Sequence, residues 1–150
     1  MIAAVGAPRD RALGAAIAEY ETRAARYWPL EVREVKEEPA RNLAPAVVRD
    51  REAMRLAEVV RPAAIIACTE NGDRLTSAEF AGWLQAARES GRDIAFVIGG
   101  AFGLGAALVT AATRRLALAP WTLPHELARL VLAEQLYRAG TIIRGEPYHK

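Results

Sequence analysis

The chain has one cysteine and two histidines among its 150 residues. A lone Cys68 excludes a disulfide framework and a cysteine-based zinc site. His125 and His149 supply too few ligands for a metal centre, so no metal is expected. Long apolar runs are also missing: none reaches the roughly 18 residues a membrane-spanning helix needs. The opening Met1–Val5 stretch is too short for a secretory signal and lacks a basic lead. These absences point to a cytoplasmic protein with no membrane partner. Lysine is nearly absent: of 20 basic residues, only Lys36 and Lys150 are not arginine. Arginine suits phosphate forks and stacked bases, and an Arg- and Ala-rich genome produces the same bias.

Apolar residues, by contrast, are abundant. They make up 52% of the chain, which excludes disorder and is enough for one domain, residues 1–150, with a real core. A net charge of +2 says little about nucleic acid. Residues 1–75 carry 12 basic and 12 acidic side chains, whereas residues 76–150 carry 8 and 6. The slight excess lies in the half that holds the unusual motifs.

Short apolar runs alternate with longer helical stretches. Met1–Val5 reads as a strand, and Arg9 to about Tyr27 as a helix. Leu30, Val32 and Val35 alternate with polar residues, which predicts a strand with one wetter face. Pro45 suits the first turn of a helix that runs to about Val60 and stops at Arg61-Pro62. Ala63–Cys68 is continuous and apolar, as in a strand buried on both faces, and Thr69 to Leu75 reads as a loop. Thr76 and Glu79 form a capping-box pattern, with Leu75 and Phe80 as a staple, for a helix ending near Ser90. Asp93–Gly100 is a second buried strand, Arg114–Pro120 a short one, and Pro124 opens a last helix to about Ala139. This order predicts an α/β domain with a mostly parallel sheet flanked by helices.

Three features stand out. The run Phe96–Gly105 carries a strand straight into Gly99, Gly100, Gly103 and Gly105. Such a turn lets the backbone approach a ligand at the carboxyl end of a strand, or serves only as a tight turn. It is neither a dinucleotide fingerprint nor a phosphate loop, since its spacing differs and no Gly-Lys-Ser/Thr follows. The last helix scatters its charges instead of gathering them on one side. Glu134 falls between Leu127 and Leu130, with Arg138 four residues on, and His125 and Arg129 are similarly spaced. A helix buried on more than one side reads this way. Finally, His149 sits next to the carboxyl terminus after Pro147-Tyr148, where most chains fray.

The stretches Phe96–Leu104, Thr122–Arg129, Leu132–Ala139 and Pro147–Lys150 resemble the ribosomal RNA large subunit methyltransferases of type H, within the SPOUT class. The resemblance covers the chain and is densest from Ile94 onward. It implies a C-terminal trefoil knot and a homodimer with helices packed across its interface. It implies methylation of N3 of a pseudouridine in 23S ribosomal RNA of the assembled ribosome, with S-adenosyl-L-methionine as cofactor. Three cofactor loops are implied: one around Cys68, one with Gly99, Gly100 and Gly103, and one formed by Leu118, Ala119, Pro120, Trp121, Thr122 and Leu123.

The resemblance also assigns the RNA-facing side to Tyr148, His149 and Lys150, with His125 and Arg129. Attack by an imide nitrogen requires loss of its proton, so His149 is the candidate base. Arg129 or Arg138 steadies the anion or a phosphate, and Tyr148 stacks on a base or anchors the tail. His125 orients the cofactor loop or is structural. The tail is expected to roof the cofactor pocket. The chain departs from the pattern at Thr69-Glu70, where an Asp is common, at Ala101-Phe102 in place of Pro-Glu, and at Lys150 in place of Arg. Two other readings stand beside this one: an RNA-binding dimer without transfer activity, and a nucleotide-binding module that uses the glycine loop.

Overall fold

The computed structural model describes residues 1–60 and 63–150, so the helix stop expected at Arg61-Pro62 lies outside the described residues. The apolar runs become a five-stranded sheet: β1 (Ile2–Val5), β2 (Val32–Val35), β3 (Ala64–Asp73), β4 (Ile94–Ile98) and β5 (Arg114–Leu116). The spatial order is β2-β1-β4-β3-β5, and every pairing is parallel. β1 is buried throughout and lies between two neighbours, as a continuous apolar run should. β2 is an edge strand with Arg33 and Glu34 exposed, which accounts for its polar alternation.

The helices follow their local signals. α1 (Arg11–Ala24) starts at Asp10, whose carboxylate accepts the Leu13 N–H at 2.7 Å. α2 (Pro45–Val59) has its proline in the first turn. α3 (Ser77–Glu89) has the full Thr76–Glu79 capping box. α4 (Ala106–Ala111) is short, and α5 (His125–Ile143) is the longest helix. α1, α3 and α5 cover one face of the sheet around Ile2, Phe80, Phe96 and Leu132. α2 and α4 cover the other around Val5, Leu56, Val97 and Leu108. α5 packs against α1, α3 and the sheet, so several of its sides are buried, which explains its scattered pattern.

Three boundaries differ from expectation. β5 stops at Leu116, short of Pro120. β3 continues past Cys68 to Asp73, through residues that read as a loop. A register shift after Cys68 lets Asp73 pair with Leu116. Gly72 makes this possible, because a Cβ there would lie 2.5 Å from the Leu116 carbonyl carbon. α5 continues past Ala139 through Gly140, where a Cβ would lie 2.2 Å from the Tyr27 ring. That glycine serves close helix packing rather than termination. The true stop is Gly145, at φ +65°, with Glu146 N–H bonded to Thr141 O and Gly145 N–H to Ile142 O. This Schellman closure sets the direction of the tail.

Candidate active site

The carboxyl ends of β3, β4 and β5 lie side by side, so their following loops are forced together. They enclose one cavity of about 900 Å³. Cys68 and Thr69 line it from β3, and Gly99, Gly100 and Gly103 from the loop after β4. Leu118, Ala119, Trp121, Thr122 and Leu123 line it from the segment after β5. Pro120 is not among the lining residues. His125, the first residue of α5, closes one side.

Local chemistry fixes each loop. Gly103 N–H donates to Gly100 O at 3.0 Å, and Gly103 takes φ +81°. A Cβ on Gly99 would lie 2.4 Å from the Gly103 carbonyl carbon, so the turn closes only over glycine. The Thr122 hydroxyl donates to the Glu70 carboxylate and ties the β5 segment to β3. Cys68 is half-buried in the cavity wall, and loss of water around its thiol pushes the pKa up to about 12 against a backbone bond from Val97. It is a neutral wall group, not a thiolate nucleophile.

The cavity holds polar atoms with nothing to bind. Thr69 Oγ1 and His125 Nε2 are both buried and without a hydrogen-bond partner among the described residues. His125 Nε2 is 3.9 Å from Glu126 Oε1, whose bond goes instead to the Arg9 N–H. Such atoms are uncommon in a folded interior. The aromatic side chains of Trp121 and Phe102 stand at the cavity, 68% and 40% exposed. Arg49 and Arg115 add positive charge to its lining, although they come from α2 and β5 and no motif flagged them. Thr69 was legible only as a polar residue at a strand end.

The tail lies elsewhere. The Tyr148 hydroxyl donates to Glu134 Oε1 at 3.0 Å and lies 3.4 Å from the Tyr20 hydroxyl. The same Glu134 oxygen accepts from Arg138 Nε and Nη2 at 3.0 and 2.6 Å. The Arg138 guanidinium stacks on the Tyr148 ring at 4.7 Å, and Tyr137 meets that ring edge-on at 4.6 Å. Loss of water, then Tyr20 and Glu134, push the Tyr148 pKa up, so the phenol stays a donor. His149 Nδ1 is 3.4 Å from Arg138 Nη1, which can only donate, so Nδ1 is the acceptor there. Lys150 is exposed.

Two expectations need correction. The tail does not roof the cavity of its own chain. Glu134 and Arg138 sit about 9–20 Å further along α5 than His125 and Ala128, at about 1.5 Å per residue, and on another side of the helix. The Gly145 turn sends the chain toward α1 instead. Arg129, expected on the RNA-facing side, is buried and does not line the cavity. It donates through Nε to Glu21 at 2.7 Å and through Nη1 to Glu34 at 2.6 Å. Its guanidinium therefore ties α5 to α1 and β2. Among the described residues no cluster of His, Cys, Asp or Glu is arranged for a metal, and no helix is long and apolar enough to cross a membrane.

A family model described as "Predicted SPOUT methyltransferase" matches residues 1–149. The ribosomal RNA large subunit methyltransferase H of Gemmatimonas aurantiaca is 64% identical over 147 residues, covering 97% of this chain and 96% of that one. The protein of the same name from an Anaeromyxobacter species is 47% identical over 150 residues, with coverage of 99% and 97%. A solved structure described as a probable methylase family protein from Haemophilus influenzae shares the fold, with a TM-score of 0.55 at 14% identity, over 99% of this chain and 69% of that one. Membership implies the C-terminal knot that the resemblance anticipated. A match running the length of the chain, over a parallel sheet whose last three strands build one cavity, makes this protein a member of the SPOUT methyltransferase family.

Proposed function

We propose that this chain is an S-adenosyl-L-methionine-dependent methyltransferase acting on N3 of a pseudouridine in 23S ribosomal RNA. We read it as a cytoplasmic homodimer that works on the assembled ribosome, with residues 1–150 acting as one domain. The observation that carries this reading is the convergence of three loops on a cavity with two buried, unpartnered polar atoms. The names of the type H relatives support the RNA class of the substrate.

The residues present fit the cofactor. Thr69 Oγ1 and His125 Nε2 await hydrogen-bond partners, and the cofactor's ring nitrogens, hydroxyls, carboxylate and ammonium offer them. Leu118 and Leu123 give apolar walls to an adenine ring, while the glycine turn exposes backbone groups. Bound there, the cofactor supplies an electrophilic methyl carbon. The chain's own contribution is to align that carbon with the attacking nitrogen and keep water out. Alignment alone supplies roughly 7–11 kcal/mol. Trp121 and Phe102 offer faces on which a displaced base stacks.

The tail supplies the proton chemistry. His149 Nδ1 takes the N3 proton once Arg138 turns toward the developing anion. Tyr148 anchors the tail, and Lys150 meets a phosphate. Because tail and cavity lie on different sides of α5 within one chain, we read the tail as completing the cavity of the second protomer. The dimer is then a condition of catalysis.

The test uses ribosomes from a strain lacking the activity, incubated with the protein and S-adenosylmethionine. Mass spectrometry of the 23S RNA should show a methyl-group mass gain on one pseudouridine. Ribosome binding with no mass gain would sink the reading in favour of an RNA-binding dimer.

A further inference from the structure

Glu52 is the one acidic side chain among the described residues buried as deeply as the core, at 4% exposure, and neither the cavity nor the tail uses it. It projects from the middle of α2. Its Oε1 accepts the Glu38 N–H at 3.0 Å, in the connection between β2 and α2. Its Oε2 is buried with no partner among the described residues. That oxygen lies directly under the glycine turn: a Cβ on Gly100 would sit 2.7 Å from it and 3.1 Å from Val5 Cγ1.

The next turn of α2 supports the same loop further on. A Cβ on Gly105 would sit 2.8 Å from Ala53 Cβ and 3.0 Å from Arg49 O. α2 is therefore a floor for the glycine segment, and the Glu52 carboxylate is what that floor brings against Gly100. The second carboxylate in the area, Glu38, is engaged by Arg51 at 2.7 Å and by Arg55. Among the described residues no cation pairs with Glu52.

A buried carboxylate oxygen without a donor is costly, and a fold retains one where a donor arrives. The part of the glycine turn that comes against it is Gly100, on the side where a Cβ would stand. We propose that Glu52 is a positioning residue for the cofactor loop. Its Oε2 accepts a backbone N–H of the Gly99–Gly103 turn when that turn closes on the cofactor, and its Oε1 holds the β2–α2 connection in the same act. Glycine at position 100 is the counterpart of this contact, since any side chain would occupy the carboxylate's place. The inference rests on the cofactor assignment above and adds a residue outside the cavity wall.

The test is a double-substitution cycle on the full chain, with S-adenosylmethionine affinity read by calorimetry and amide exchange read across residues 99–105. Glu52→Ala should weaken binding about tenfold, the scale of one lost acceptor on a buried N–H. It should also speed exchange of the turn in the cofactor-bound protein while β1 and β4 stay protected. Glu52→Gln keeps the shape and one acceptor, so it guards against a folding defect and should fall between wild type and Glu52→Ala. Gly100→Ala should weaken binding about tenfold alone, but by less than threefold when Glu52 is already alanine, because the space is then free. Independent, multiplying effects of the two substitutions, or wild-type affinity in Glu52→Ala, overturn the positioning role. Wild-type protein that binds no S-adenosylmethionine overturns the functional reading instead, and in that event coupling of the two substitutions in thermal stability still decides whether Glu52 seats the turn.

Discussion

The two ends of α5 treat their polar side chains in opposite ways. At its start, His125 Nε2 and, in the same cavity lining, Thr69 Oγ1 are buried with no partner among the described residues. Toward its end, a single Glu134 oxygen accepts from Tyr148 and twice from Arg138, and its other oxygen accepts from Gln135. The four tyrosines of the chain all gather at that end, where Tyr137 meets Tyr20, Tyr27 and Tyr148. Buried groups without a partner at the cavity wall are the ones our proposal gives to the cofactor. A saturated cluster marks where the protein binds itself, and it holds the terminus in a defined place.

The largest expected effect comes from removing what the saturated end holds. Deleting Tyr148–Lys150 should lower single-turnover methyl transfer by about 10²–10⁴-fold, the usual range for a lost acid–base group. Cofactor affinity should stay within about threefold, because the residues that line the cavity within each chain are unchanged. Equal losses in both would erase the distinction between the two ends.

Arg129 comes next, because it belongs to the saturated class despite lying close to His125 in sequence. Arg129→Met leaves Glu21 and Glu34 facing each other without their shared cation. It should cost about 2–3 kcal/mol in urea unfolding, less than a fully enclosed pair because Glu34 is partly solvated. Cofactor binding by the folded variant should match wild type; a selective loss of binding would move Arg129 into the site.

Thr69→Val and His125→Phe probe the unsaturated end. Each removes a polar atom that has no partner in the free protein, so stability should hold or rise slightly. Affinity for S-adenosylmethionine should nonetheless fall about tenfold, as calorimetry would record. A drop in stability with unchanged affinity would mean the unpartnered atoms serve the fold.

The last effect is confined to alkaline pH and concerns Cys68. Its pKa is raised from 9.0 to about 12 by burial, so the folded chain keeps a proton that the unfolded chain loses first. Its contribution to stability is therefore full below about pH 9 and is lost as the pH rises toward 12. Melting temperatures of wild type and Cys68→Ala should converge across that interval, with the valine-like thiol favoured only on the neutral side. A constant difference would show that the thiol is solvated.

Legibility followed the range of the forces. The capping box at Thr76, the proline at position 45 and the buried runs of β1 and β4 are local, and the chain announces them. The glycine loop is legible because open α/β sheets bind ligands at the carboxyl ends of their strands, whereas the loops around Cys68 and Leu118–Leu123 come from the family resemblance. Gly72 and Gly140 mislead because glycine is usually a breaker, yet here each clears space for a distant neighbour, Leu116 in one case and Tyr27 in the other. Arg129 misleads for the same reason: its partners lie 108 and 95 positions away. Helix periodicity shows that a charge sits on a buried side, but not which carboxylates come to meet it. The placement of the tail depends on Gly145 at φ +65°, a single dihedral choice that no pattern of apolar residues encodes.

That glycine has a mechanical consequence. It fixes the bearing at which the final residues leave the helix, independently of the bonds that Tyr148 makes afterwards. Releasing the tyrosine would swing the terminus about a pivot without changing its reach. Lengthening the segment between pivot and tyrosine by even one residue would misdirect the imidazole while sparing every side chain. Spacing, more than composition, is what this short arm has to preserve.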